Sequence, residues 1–136
     1  MDGVKLSKLS IIEHPKGNIM HGIKSSSDGF NGFGEVYFSN VKYREIKGWK
    51  MHKKMYLNLV VPIGAVKFVI YNGSNFFEVI LSIDNYYRLT VSPKLWVGFQ
   101  GISKKQNLVM NIANIEHDQN EACNCELNHV PYEWLP

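Results

Sequence analysis

Short segments rich in β-branched and aromatic residues, separated by turn-forming residues, dominate this sequence. Turn chemistry recurs along the chain, as at residues 15–17 (PKG), 62–64 (PIG) and 72–74 (NGS). Short strands at a spacing of roughly 8–12 residues are typical of a β-sandwich or a β-barrel. No stretch shows a sustained apolar period of 3.6 residues, so we predict an all-β protein with little helix.

The predicted strands share β-rich composition and flanking turn residues. They span residues 5–13, 18–24, 34–39, 50–61, 65–71, 76–83, 87–91, 96–101 and 107–115. The polar tail over residues 116–128 is predicted to be a loop or a short turn, and the aromatic residues that follow it are expected to dock on the body of the protein.

Composition limits the class of protein. The chain has 136 residues, of which 45% are hydrophobic, so we expect one packed domain over residues 1–136. A net charge of +3, spread along the chain, argues against a nucleic-acid partner. No apolar run reaches about 18 residues and no secretory segment opens the chain, so we expect a cytosolic protein that does not enter a membrane. The two cysteines are expected to be reduced thiols.

The stretch from residue 46 to residue 61 concentrates the chemistry. If residues 50–61 form one strand, then Lys50, His52, Lys54 and Asn58 share a face, because alternate side chains of a strand point the same way. The other face is mostly apolar. This pattern predicts the wall of a polar pocket, with His52 as its proton carrier because imidazole titrates near pH ~6.5.

Four segments in order carry a resemblance to a known family. They are residues 14–19 (HPKGNI), 47–54 (KGWKMHKK), 61–70 (VPIGAVKFVI) and 91–100 (VSPKLWVGFQ). In these segments the chain resembles the small cupin-fold enzymes that remodel nucleotide-linked keto sugars. Those enzymes are the dTDP-4-dehydrorhamnose 3,5-epimerases and the dTDP-4-keto-6-deoxyhexose 3,4-ketoisomerases. The resemblance implies a cupin fold, that is, a double-stranded β-helix or jelly-roll barrel.

The chain departs from both catalytic patterns. The ketoisomerases' His-x-His element keeps only its second histidine, His52, because Lys50 stands in the first position. The tyrosine that serves the epimerases as an acid aligns near Met110, and the later histidine of both groups is Val97. The resemblance therefore implies an isomerase of a nucleotide-linked 4-keto sugar, in surface-polysaccharide synthesis, with an altered catalytic set. A non-catalytic sugar- or nucleotide-binding module is the alternative, and epimerase and ketoisomerase both remain open.

Isomerisation beside a ketone requires a base, a group that stabilises the enolate, and an acid. We predict that His52 is the base, Tyr37 the acid and Lys50 the cation beside the enolate. The predicted substrate contacts are basic, amide or aromatic side chains: Lys16, Lys47, Lys54, Asn58, Trp96, Gln100 and Asn111. Each has a structural alternative, since buried amides brace strands and aromatic side chains fill cores.

No metal and no other cofactor is expected. Lys50 interrupts the histidine pair that many cupins use for a metal, and a lysine ammonium repels a divalent ion. A weaker constellation in the tail, His117, Cys123, Cys125 and His129, does not have the spacing of a usual zinc site.

We also expect a homodimer with N-terminal strand exchange. The first two predicted strands would leave open edges in a monomer, and pairing across a two-fold axis removes such edges. In a dimer of this kind the turn at Lys16 would approach the partner's pocket and contact phosphate.

Overall fold

The computed structural model describes all 136 residues. It contains twelve strands and one 3₁₀ turn at Leu127–His129. The strands are β1 (Val4–Lys8), β2 (Ile11–Ile12), β3 (Ile19–Met20), β4 (Glu35–Asn40), β5 (Ile46–His52), β6 (Leu57–Ile63), β7 (Ala65–Tyr71), β8 (Phe76–Ser82), β9 (Tyr87–Val91), β10 (Trp96–Gly101), β11 (Leu108–Ala113) and β12 (Ala122–Asn124).

Two five-stranded antiparallel sheets form the body. Sheet I has the order β1-β9-β6-β11-β4, and sheet II has the order β12-β5-β10-β7-β8. The strands β2 and β3 form a separate hairpin. The prediction of an all-β protein with little helix is confirmed, and no helix is long and apolar enough to cross a membrane.

The main core lies between the two sheets, where alternate residues of each strand point inward. Leu59, Leu89 and Val109 contribute from sheet I, and Phe68 and Ile70 from sheet II. Burial of these side chains contributes about 1.5–3 kcal/mol each. The inward positions also include those that line the cavity described below, so the core fixes the cavity walls.

The terminal segments cover the outer faces of the sheets. Leu9, Ile11 and Met20 pack over Val60 on the outside of sheet I. On the outside of sheet II, apolar side chains of the C-terminal segment cover Trp49 and Val69, namely Val130, Tyr132 and Trp134. The predicted docking of the C-terminal aromatics is confirmed.

The prediction of one continuous strand over residues 50–61 is wrong. The chain leaves sheet II at His52 and enters sheet I at Leu57. Two backbone amides at this crossover have no ladder partner. Those of Lys54 and Met55 donate to Oε2 of Glu121 at 2.9 and 3.0 Å. Buried amides require acceptors, so the crossover is stable because the later chain supplies them.

Three other segments also differ clearly from the predicted ones. The predicted strand over residues 18–24 is reduced to β3. The first predicted strand is divided into β1 and β2. The tail, predicted to be a loop, contains the short strand β12, which pairs with β5 so that Ala122 lies opposite His52 and Asn124 opposite Lys50. This pairing brings the tail to the edge of sheet II.

Candidate active site

A cavity of about 220 Å³ lies between the two sheets. Its apolar lining comes from both sheets: Leu57, Leu59, Val97, Phe99 and Val109. These side chains are continuous with the core, so the cavity is an unfilled part of the sandwich interior.

Polar side chains line the rest of the cavity. They are Tyr37, Ser39, Lys47, Lys50, His52, Asn111 and Asn124. None of the lining residues is acidic, and two of them are lysines. The cavity therefore favours an anionic or strongly polar ligand.

His52 ends β5 and is 7% exposed. Its Nδ1 lies 2.5 Å from Oε1 of Glu121, which is 6% exposed. A carboxylate only accepts hydrogen bonds, so in the neutral imidazole Nδ1 carries the hydrogen and donates it. This leaves the Nε2 lone pair free to accept a proton. The arrangement is that of a general base held by a carboxylate.

Both oxygens of Glu121 are occupied. Burial alone would raise the pKa of this carboxyl group, but hydrogen bonds from His52 and from the Lys54 and Met55 amides outweigh it and lower the pKa overall. Glu121 is therefore ionised at neutral pH. A buried ionised carboxylate stabilises the positive charge that His52 acquires when it takes a proton.

Tyr37 lies on the opposite wall, in β4 of sheet I, directly across from Asn111 in β11. The Asn111 side chain donates from Nδ2 to the Tyr37 hydroxyl oxygen at 2.8 Å. Its Oδ1 accepts a hydrogen bond from the backbone N–H of Asn58 at 3.2 Å, and this bond fixes the orientation of the Asn111 side chain. Because the Tyr37 oxygen accepts, its own hydrogen remains available for donation into the cavity.

The cationic part of the cavity comes from β5. Lys47 and Lys50 are both exposed and both line the cavity. Asn124 of β12 lies opposite Lys50 and lines the same wall. The cavity thus brings together five of the predicted site residues: Tyr37, Lys47, Lys50, His52 and Asn111.

The predicted substrate contact Asn58 lies outside the cavity. Its Oδ1 accepts hydrogen bonds from Arg88 Nε at 3.1 Å and Thr90 Oγ1 at 2.6 Å, and its Nδ2 donates to the Gly29 carbonyl oxygen. The break between β5 and β6 explains this placement, because it shifts the alternation so that Leu57 and Leu59 face inward instead.

Trp96 and Gln100 also lie outside the cavity. Trp96 packs with the aromatic cluster on the outside of sheet II. Gln100 holds the C-terminal segment: its Nε2 donates to the Leu135 carbonyl oxygen at 2.8 Å, and its Oε1 accepts the Leu135 amide at 3.2 Å.

The two remaining lysines do not line the cavity. Lys16 lies at the exposed turn between β2 and β3. Lys54 lies on a different surface depression, together with Glu116 and Asp118.

Sequence reasoning missed Glu121, Ser39 and Asn124. Glu121 is 69 residues from His52 and stands in a polar tail without periodicity, so nothing local marks it. Ser39 is two residues from Tyr37, so alternation along β4 predicts that it shares the Tyr37 face. The structure brings together no group of three or more His, Cys, Asp or Glu side chains that could hold a metal ion.

Comparison with solved structures places this fold among the cupin-like sugar-nucleotide enzymes. A dTDP sugar isomerase from Desulfovibrio desulfuricans G20 is 33% identical, with 98% of this chain and 91% of that chain covered and a TM-score of 0.93. A histidine-to-asparagine mutant of the 3,4-ketoisomerase QdtA from Thermoanaerobacterium thermosaccharolyticum, in complex with TDP-4-keto-6-deoxyglucose, is 19% identical, with 90% and 88% coverage and a TM-score of 0.79.

More distantly, the rmlC epimerase of Mycobacterium tuberculosis is 16% identical, with 90% of this chain and 68% of that chain covered and a TM-score of 0.79. A comparison with proteins of curated function found no match. Residues 2–126 match the family model described as FdtA: WxcM-like, C-terminal. The chain belongs to this family, and the predicted cupin fold and family resemblance are confirmed.

Proposed function

We propose that this protein is an isomerase of a nucleotide-linked 4-keto sugar, working by proton transfer through an enolate. The observation that carries the proposal is the buried His52–Glu121 pair. His52 lines the cavity, Glu121 lies behind it, and no acidic side chain lines the cavity itself. The family match and the dTDP sugar isomerase at 33% identity support it. The resemblance further favours a cytosolic enzyme of surface-polysaccharide synthesis.

The base is His52. A carbon-bound hydrogen beside the ketone is acidic because the resulting negative charge moves to the ketone oxygen. Nε2 of His52 takes this proton, and the electron pair of the C–H bond forms the carbon–carbon double bond of the enolate. Glu121 stabilises the resulting imidazolium and keeps the ring in the tautomer that accepts on Nε2.

The acid is Tyr37. It belongs to sheet I, whereas His52 belongs to sheet II, so the two groups approach a ligand from different walls. Donation by Tyr37 to carbon from the face opposite to His52 inverts that carbon, which is epimerisation. In ketoisomerisation, His52 instead returns its proton to the former ketone carbon, while the proton of the substrate's neighbouring hydroxyl passes to the former ketone oxygen. The substrate's own hydroxyl and ketone then exchange positions.

Lys50 is the cation beside the enolate, and Lys47 and Asn111 contribute to binding. An ammonium group stabilises the negative charge of an enolate oxygen, and Lys50 lines the same cavity as His52. Lys47 is assigned to the diphosphate, because both lysines lie on β5 and a compact cation suits a phosphate oxygen.

We also propose that the enzyme is a homodimer. Strands β1 and β4 are the open edges of sheet I, and exposed apolar side chains, Val36 and Phe38, project from β4. Within one chain β1 pairs with β9, so N-terminal strand exchange would transfer this pairing to the second chain. In such a dimer, Lys16 would reach the partner's cavity. Light scattering tests this, and a monomeric mass would overturn it.

The decisive experiment measures exchange of substrate hydrogens with solvent deuterium. TDP-4-keto-6-deoxyglucose, the ligand of the QdtA mutant complex, serves as the probe, and NMR follows the carbons beside its ketone. We expect enzyme-dependent exchange that the His52→Ala variant loses. The control is His117→Ala, which removes an exposed histidine outside the cavity.

The exchange experiment, combined with a titration of the protein with TDP, separates the two classes of function. TDP binding with no exchange by the wild-type protein would support the non-catalytic binding module and overturn the proposed isomerase. Exchange that persists in His52→Ala would overturn the assignment of the base.

A further inference from the structure

A second polar cleft lies between the N-terminal segment and β9. It has a volume of about 390 Å³ and shares no lining residue with the active-site cavity. Only two of its twelve lining residues are hydrophobic. The basic side chains are Lys8, His21, Lys24 and Arg88, and several serines, among them Ser26 and Ser27, complete the wall. This combination of cations and hydroxyl groups is typical of a site for a phosphate-bearing anion.

Arg88 forms the floor of this cleft and is only 2% exposed. Its Nε donates to Asn58 Oδ1 at 3.1 Å, its Nη1 to the Gly22 carbonyl oxygen at 3.0 Å, and its Nη2 to the Asp28 carbonyl oxygen at 2.7 Å. A guanidinium group has five N–H bonds, so each terminal nitrogen keeps a second hydrogen with no protein acceptor. The side chain is therefore held rigidly while two of its donors stay unused.

The charge of Arg88 also has no counter-ion. Its three acceptors are uncharged, and the one acidic residue of the cleft, Asp28, directs its carboxylate to Lys5. Burial lowers the pKa of Arg88, as expected for a cation removed from water. A buried cation without an anionic partner is costly, and an anion seated in the cleft would supply that partner.

We propose that this cleft binds a small phosphate-bearing dianion, such as a diphosphate group, on the free N–H donors of Arg88. Lys8 and Lys24 supply further positive charge, and the hydroxyl groups of Ser26 and Ser27 supply neutral donors. Since the cleft and the active-site cavity have no lining residue in common, the ligand occupies a site separate from that of the sugar substrate. The inference does not rest on the proposed isomerase.

The test titrates the full-length protein with inorganic pyrophosphate and follows the Arg88 Nε–H signal by NMR. This proton is buried and hydrogen-bonded, so it exchanges slowly enough to observe. We expect a saturable shift of this signal and of the Ser26 and Ser27 amides. A parallel titration with TDP shows whether a free diphosphate or a nucleotide is bound more tightly.

Three charge reversals locate the site. Lys24→Glu should raise the pyrophosphate concentration at which the Arg88 shift is half complete by at least about tenfold, because one charge-assisted contact is lost. Lys104→Glu is the matched control, because Lys104 is an exposed lysine outside both cavities. Lys50→Glu removes positive charge from the active-site cavity and should leave the Arg88 shift unchanged.

Two results would overturn the proposal. One is a wild-type Arg88 signal that does not move with either probe. The other is a shift that Lys24→Glu and Lys104→Glu weaken equally, which would indicate general attraction to a basic protein. An unchanged Arg88 signal in ligand-free Lys24→Glu confirms that the variant is folded.

Discussion

The two walls of the candidate active-site cavity present the proposed proton-transfer groups in opposite ways. On sheet II, His52 is 7% exposed and has an ionised carboxylate behind it. On sheet I, Tyr37 is 38% exposed, stands on the edge strand β4, and has a neutral amide behind it. The supporting residue accepts a hydrogen bond on the first wall and donates one on the second.

This difference matches the two tasks. A base must lose the hydrogen on its reactive nitrogen, and the carboxylate ensures this by taking the hydrogen on the other nitrogen. An acid must keep its hydrogen free, and the amide ensures this by occupying the oxygen. Burial suits the base because it strengthens the ion pair that forms on proton transfer. Exposure suits the acid because water can restore its proton.

Removal of the base should have the largest effect. We expect His52→Ala to lower kcat/KM about a thousandfold, within the range of general base catalysis. Steady-state kinetics with a 4-keto sugar nucleotide measure this, and TDP affinity should change little. A loss confined to KM would instead make His52 a binding residue.

Loss of the carboxylate behind His52 should come next. In Glu121→Gln the amides of Lys54 and Met55 still require an acceptor, so the new side chain turns its oxygen to them and its NH₂ to His52. This forces the hydrogen onto Nε2, and we expect kcat to fall about a hundredfold or more. The control is Glu126→Gln, an exposed change in the same tail. Equal kinetics in the two variants would remove Glu121 from the mechanism.

The wall of Tyr37 gives a smaller and more diagnostic effect. If the enzyme epimerises, Tyr37→Phe should lower kcat about a hundredfold. Asn111→Asp should also lower kcat, because a carboxylate would accept the Tyr37 hydrogen. If the reaction is ketoisomerisation with His52 alone moving the proton, Tyr37→Phe should retain exchange of deuterium into the substrate. Analysis of the product by NMR decides between the two reactions.

A comparison of Lys50 with Lys54 tests whether the ligand binds in the cavity. Lys50→Met should raise KM or lower kcat about tenfold, since one charge-assisted contact is lost. Lys54→Met is the matched control, because Lys54 lies outside the cavity. Similar losses in both variants would mean that the ligand extends beyond the cavity.

The smallest expected effect is on stability in acid. The pKa of Glu121 in the folded protein is lowered from its ordinary value of 4.5. The ionised carboxylate therefore contributes fully to the free energy of unfolding above pH 4.5, and this contribution is lost as pH falls through the folded-state pKa. Glu121→Gln should cost on the order of 1 kcal/mol at neutral pH. Urea unfolding at neutral pH and at steps below pH ~4.5 should show the difference shrinking. A constant difference would contradict this linkage.

Much of the fold could be predicted from the sequence, because turn residues and alternation are local signals. The predicted strand over residues 65–71 is observed unchanged as β7, and those over 87–91 and 96–101 as β9 and β10. The error over residues 50–61 has a physical cause. The two Lys residues at 53 and 54 are as compatible with an exposed strand as with a crossover, and the acceptors for the crossover amides lie far along the chain.

The candidate site was predictable only in part. Alternation along one strand pointed to His52 and Lys50, and an aromatic strand pointed to Tyr37; all three line the cavity. Asn58 and Gln100, predicted as substrate contacts, lie outside the cavity, since an amide in an apolar strand signals burial but not which face of the sheet it occupies. No sequence pattern distinguishes an amide side chain that braces a loop, as Asn58 does, from one that bonds to a tyrosine in the cavity, as Asn111 does.

The sequence by itself determined the β architecture, the cupin family and the histidine on a cationic strand, because these depend on neighbours within a few residues. The tertiary structure alone decided which side chains meet in the cavity. Glu121 reaches His52 only after β12 pairs with the edge of sheet II. Asn111 supports Tyr37 only after β11 pairs with β4. Contacts between residues distant in sequence arise from sheet pairing, and a single sequence does not specify which of many possible pairings will form.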